Sequence, residues 1–190
     1  MKIVNDRIYI SRGETPTYDV KVKDKKTGVP FMLSTGMEHP VIEFIVRPSI
    51  YSKDNDYVLR EYLDYSDFKK FDDVNISLED IPDVTKNEIE DDTPPMSSNT
   101  GKLHKYSHDG VVEYYYHDGS EWVRYEFSIS FTMSHENTSK MEEKTYKYEV
   151  VLLDGDPKYD GDDVIGFNTI NYKKLLLEAT DFIVGGSLSE

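Results

Sequence analysis

The feature that most constrains this chain is the alternation between Val123 and Met133. Val123, Tyr125, Phe127, Ile129, Phe131 and Met133 take every second position, and Arg124, Glu126, Ser128, Ser130 and Thr132 lie between them. A helix repeats every 3.6 residues and cannot gather the first set on one side. An extended strand repeats every two residues and does. This stretch must therefore become a strand with one dry face and one wet face.

The pattern recurs. Tyr18, Val20 and Val22 alternate with Thr17, Asp19, Lys21 and Lys23; Ile42, Phe44 and Val46 oppose Glu43 and Arg47; Tyr146, Tyr148, Val150 and Leu152 oppose Thr145, Lys147 and Glu149. Turn chemistry separates these runs. Asp109-Gly110 and Asp118-Gly119 are hairpin signals, because glycine reaches positive φ without steric cost. They predict a meander of strands near 102–107, 111–116 and 121–133. Ser52-Lys53-Asp54-Asn55-Asp56 is expected to turn a strand over 41–51 into one over 57–63, and Ser66–Phe71 to form a helical turn. Residues 72–101 break the pattern with Asp72-Asp73, Glu90-Asp91-Asp92, Pro94-Pro95 and Ser97-Ser98. They read as a long acidic surface insertion. Many short strands and almost no helix predict an all-β, two-sheet antiparallel β-sandwich, a single domain over 1–190 with 72–101 inserted in it.

Charge limits the partners. With 22 Lys and Arg against 37 Asp and Glu, the net charge is −15. Such a chain repels nucleic-acid backbones, whose binding rests on cations, and anionic lipid as well. No nucleic-acid or membrane partner is expected. The chain has no cysteine, which removes disulfides, thiolate metal sites and cysteine nucleophiles. No apolar run approaches the ~20 residues of a membrane span. The opening Met1-Lys2-Ile3-Val4-Asn5-Asp6 carries no export-signal core, so no N-terminal secretion signal is expected.

Three groups of side chains are candidates for chemistry. Tyr114, Tyr115, Tyr116 and Trp122 form an aromatic cluster at one hairpin. Such rings stack on sugars or anchor protein interfaces, and they also simply cover a sheet edge. Asp154, Asp156, Asp160, Asp162 and Asp163 crowd a short stretch after the last alternating strand. Several carboxylates suit Ca2+, although the spacing is not that of an EF-hand; the plainer reading is a solvated acidic loop, with no cofactor. His108 and His117 each precede Asp-Gly and read as solvated turn residues rather than ligands. No nucleophile elbow, phosphate loop or dinucleotide fingerprint occurs, and acids are too abundant to single out a catalytic pair. A non-enzymatic chain is the expectation.

The opening segment carries a resemblance. Arg7-Ile8-Tyr9-Ile10-Ser11-Arg12-Gly13-Glu14-Thr15, then Tyr18-Asp19-Val20-Lys21-Val22-Lys23-Asp24, Gly28-Val29-Pro30-Phe31 and the strand Val41 to Arg47, is similar to the N-terminal immunoglobulin-like sandwich of baseplate upper proteins of tailed bacteriophages. Ala179-Thr180-Asp181-Phe182-Ile183-Val184-Gly185-Gly186 resembles the closing strand of such modules. The resemblance covers roughly 5–50 and 173–186, and carries no catalytic residue. It implies an immunoglobulin-like fold and a structural virion protein of the tail, baseplate or neck. That protein would be assembled in the host cytoplasm, would contact other virion proteins, and would repeat as a homo-oligomer in a symmetric assembly. A carbohydrate-binding module for host-surface glycans and a capsid decoration protein are the alternatives.

Overall fold

The computed structural model describes residues 2–4, 7–53 and 56–185. Asp54 and Asn55 of the expected turn, and Gly186 of the expected closing strand, lie outside the described residues. The fold is all-β, with several sheets and little helix, as a β-sandwich requires. Two compact units divide it: Met1–Val20, Glu38–Asp67 and Ile129–Glu190 form the first, and Lys21–Met37 and Phe68–Ser128 the second. Strands are numbered below in chain order.

The first unit is built on a six-stranded sheet. Its order is β1 (Lys2–Val4), β2 (Arg7–Ser11), β13 (Asp163–Gly185), β12 (Thr145–Asp160), β5 (Val41–Arg47) and β6 (Leu59–Asp64). Neighbours run antiparallel except β13 and β2, which pair in parallel from Phe182↔Ile8 to Gly185↔Ser11. A second layer comes from β3 (Thr17–Lys21) paired with β11 (Ser128–Thr132). Alternation sends Ile129, Phe131 and Met133 inward, where Phe131 meets Phe44 at 4.5 Å and Tyr148 lies 5.6 Å from Phe44. Tyr18, Phe44, Phe131, Tyr148 and Phe182 are fully buried; each such ring stabilises the fold by about 1.5–3 kcal/mol relative to exposure. The short helix α2 (His135–Ser139) is capped by Ser134, and its Thr138 hydroxyl donates to the Glu14 carbonyl at 2.6 Å.

β5 departs from the sequence pattern. Glu43 and Arg47 were expected on a wet face, yet all seven residues of the strand are buried. Pairing offsets the desolvation: Glu43 accepts an ion pair from Arg60 at 3.0 Å, and Arg47 donates to the Lys53 carbonyl at 2.8 Å. Alternation reported that this face was polar, which is a different property from being wet.

The second unit holds the meander: β8 (His104–His108), β9 (Val111–His117) and β10 (Trp122–Arg124), in the order β10-β9-β8. The expected strand over 121–133 is therefore two strands. Tyr125 and Phe127 between them stay buried, but Tyr125 donates its amide to Tyr114, while Phe127 accepts from Val22. Alternation fixes which side a residue faces and leaves its ladder partner open. Ser66–Phe71 is not a helical turn; β7 (Lys70–Phe71) instead pairs in parallel with β4 (Leu33–Ser34). Within 72–101 lies α1 (Lys86–Glu90), closed by a capping box in which Thr85 and Glu88 satisfy one another's backbone amides. Among the described residues no helix is long and apolar enough to cross a membrane.

Candidate functional site

Of the three groups of candidate residues, the aromatic cluster and the two histidines fall in the second unit and the acidic group in the first. The aromatic cluster sits on the meander. Its first turn has positive φ at both Asp109 and Gly110, +47° and +77°, which matches the twist of a tight hairpin. Its second is held by Asp118, whose carboxylate accepts from the Ser120 amide, the Glu121 amide and the Ser120 hydroxyl. Those donors stabilise the charged form and hold the Asp118 carboxyl at about 2.

Two of the four cluster residues, Tyr114 and Trp122, are buried. Trp122 is buried; its indole N–H donates to the Thr93 carbonyl at 2.9 Å, and its ring is met edge-on by His104 at 4.8 Å and His117 at 5.3 Å. It pins the acidic segment to the meander and presents no stacking face to a sugar. Tyr114 is also buried. Tyr115 is half-buried and donates its hydroxyl to Glu113 at 3.2 Å. Tyr116 is half-buried, edge-on to Phe71 and Tyr125, with the Lys69 ammonium 4.9 Å from its ring centre. His117 is buried and not a solvated turn residue, because Nδ1 accepts the Gly119 amide and the ring packs on Trp122. His104 donates from Nδ1 to the Lys102 carbonyl, and burial holds its pKa below the ordinary histidine value.

Beside the cluster is a cleft of about 230 Å3 lined by residues including Lys21, Lys23, Val112, Tyr114, Arg124 and Phe127. Charges pair along its rim: Lys21 to Glu126 at 2.6 Å, Glu126 to Arg124 at 3.2 Å and Arg124 to Glu113 at 3.0 Å; Glu113 also lies in hydrogen-bond contact with His108 Nε2 at 3.3 Å. A charged ligand at that rim would compete with these pairs, while Lys23 stands exposed beside them.

The acidic group lies in the first unit, on strand rather than loop. β12 runs through Asp154 and Asp156 to Asp160, turns at Gly161, and returns as β13 from Asp163. An extended strand spreads its side chains along its length. Asp154 accepts the His39 amide at 2.7 Å, and Asp156 accepts from the Asn168 side chain at 3.0 Å. Asp160 and Asp163 are cross-strand neighbours, with Asp162 in the turn between them. Among the described residues no three His, Asp or Glu side chains gather to hold a metal ion.

The structure adds a surface that the sequence reading passed over, the ribbon made by β12 and β13 beyond Leu153. The ladder has five register irregularities; Ile165, Asn168 and Asn171 are extra residues on β13 between successive cross-strand pairs. Bulges bend and twist a strand. The ribbon reaches β6, where Phe167 stands edge-on to Tyr62 at 6.1 Å and the Tyr159 hydroxyl donates to Asp64 at 3.4 Å. At Gly155 a side chain has no room, since a Cβ would lie 2.1 Å from the Thr169 carbonyl oxygen. Other side chains of the hairpin face outward: Ile165 is 58% exposed, Ile170 49% and Leu175 48%, and Tyr172 is also exposed. The available signal was Asp160-Gly161 followed by the β-branched and aromatic run Val164-Ile165-Gly166-Phe167-Asn168-Thr169-Ile170-Asn171-Tyr172, which marks a hairpin.

Comparison of the chain with models of known protein families, with curated proteins and with solved structures gives no match.

Proposed function

We propose that this chain is a structural virion protein of a tailed bacteriophage, a tail, baseplate or neck component that works by docking against other virion proteins and performs no catalysis. The observation that carries the docking role is the ribbon: Ile165, Ile170, Tyr172 and Leu175 stand in water on one long hairpin. Four large apolar side chains held outward along one ordered hairpin support a binding role. The N-terminal resemblance supplies the virion setting. The net charge of −15 suits the same reading, since it keeps free subunits apart until a complementary surface is met. The sugar-binding alternative is weaker, because Trp122 is buried and its N–H is already bonded. Mass spectrometry of purified particles from the phage that encodes this chain tests the proposal. The chain is expected among the structural proteins at a stoichiometry fixed from particle to particle; its absence from particles overturns the reading.

A further inference from the structure

Trp122, the single tryptophan of the chain, holds a segment that buries none of its own side chains. Val84 and Leu103 are buried anchors at its two ends, and from Thr85 to Lys102 no residue is buried. Two hydrogen bonds from Trp122 reach into this stretch: its backbone amide donates to the Asp92 carboxylate at 3.4 Å, and its indole N–H to the Thr93 carbonyl at 2.9 Å. A stretch without buried side chains opens locally at small cost once such contacts are lost. The indole is in turn met edge-on by two imidazoles, His104 and His117, which are 2% and 3% exposed. Their hydrogen bonds assign opposite tautomers. The Lys102 carbonyl only accepts, so His104 carries its proton on Nδ1. His117 Nδ1 accepts the Gly119 amide at 3.1 Å, so its proton lies on Nε2, which is buried and has no acceptor among the described residues. A second proton on His117 would enter at Nδ1, against the Gly119 N–H that points there. A second proton on His104 would charge a ring that burial keeps neutral.

We propose that His104 and His117 form an acid-opened clasp: proton uptake by the two rings unseats Trp122, releases the segment from Thr85 to Lys102 and presents the indole to solvent. The clasp is independent of the docking role proposed above. The charges facing the two rings come from Glu88 and Asp92 on the segment, Lys102 before β8 and Asp118 in the turn after β9; Tyr115, opposite His104 in the ladder, is a neutral phenol. Burial is the largest influence on His104, and it outweighs the Lys102 carbonyl and Glu88, which favour charge. Glu88 and Asp118 do not change between pH 7 and pH 5. Thr85 holds the Glu88 carboxyl below its ordinary range, and backbone amides hold Asp118 at about 2. Histidine is the side chain that titrates in this window. The closed clasp binds fewer protons than the open one, so it is complete above about pH 6.5 and is lost as the pH falls below that value.

Fluorescence of the full-length chain, excited selectively at its one tryptophan and titrated from pH 7 to pH 5, tests this. The emission is expected to shift to the red and to become accessible to acrylamide, with a midpoint below 6.5. Hydrogen exchange over the same range locates the change. The Asp91 and Thr93 amides, which donate to the Asn87 and Glu88 carbonyls, should lose protection by about tenfold or more after allowance for the slower intrinsic exchange in acid. Val150 and Leu152 of β12 should keep theirs. His104→Gln and His117→Gln each remove one titrating ring and should move the midpoint to lower pH; the double variant should stay closed at pH 5. Circular dichroism at pH 7 establishes that each variant is folded, and the wild-type titration decides the matter even where one is not. A Trp122 that stays shielded through pH 5 overturns the proposal. So does an opening that both glutamine variants leave unchanged, or one in which β12 loses protection together with the segment.

Discussion

The meander β8–β10 and the ribbon β12–β13 start from the same device, antiparallel strands joined at Asp- and Gly-bearing turns. They spend their apolar residues in opposite ways. The meander pairs in plain register and turns Tyr114 and Trp122 inward, where Trp122 holds the acidic segment. The ribbon is longer and bulged, and it leaves Ile165, Ile170, Tyr172 and Leu175 in water. A hairpin that buries its own aromatics is complete as it stands. One that keeps large apolar side chains outside leaves that area in water.

The contrast can be broken experimentally, starting where the effect is greatest. Trp122→Ala should destabilise the second unit by about 3–5 kcal/mol, measured by urea unfolding, because it empties a buried site and strands the Thr93 carbonyl. Gly155→Ala should cost about 1–3 kcal/mol, since the Thr169 backbone must move to admit the new methyl; loss of the ribbon contact between Phe167 and Tyr62 should appear in the aromatic NMR spectrum. Acidification should act on the meander before the ribbon. Burial holds the folded His104 pKa below 6.5, so the unfolded chain takes up a proton that the folded chain resists. Stability is then full above about pH 6.5 and falls as the pH drops below it; His104→Gln should flatten that slope in thermal melts at pH 7 and pH 5. The smallest effect belongs to the ribbon surface. Tyr172→Ala should change stability by no more than about 0.5 kcal/mol while weakening association with other virion proteins. A large stability loss there would mean that the side chain is structural, and the contrast would collapse.

The sequence displayed the strands better than it displayed their neighbours. Period two located the dry faces of β3, β11 and the first half of β12, because sidedness is a local property of extended backbone. It could not reveal that the run from Val123 to Met133 serves two strands, since a change of ladder partner leaves alternation intact. Nor could it show β5 buried on both faces, because Glu43 and Arg47 look solvated until Arg60 and the Lys53 carbonyl are seen beside them. At the candidate sites, the aromatic residues were found but their exposure was not: Trp122 has the composition of a binding platform and the position of a core residue. The ribbon was hidden for another reason. Its carboxylates drew the eye to metal chemistry, and three bulges erased the period by which the strand beyond them would have been recognised.

The parallel pairing of β2 with the last residues of β13 bears on how the protein comes to exist. Ile8 meets Phe182, so β2 is seated against a strand that is synthesised well over a hundred residues after it. The six-stranded sheet cannot close until β13 has been made, and contacts between residues so distant in sequence form slowly once they can. The meander, whose partners lie within about a dozen residues of one another, is under no such delay. During translation the early segments of the first unit must wait unpaired, and their expression is expected to be sensitive to the chaperones that occupy nascent chains.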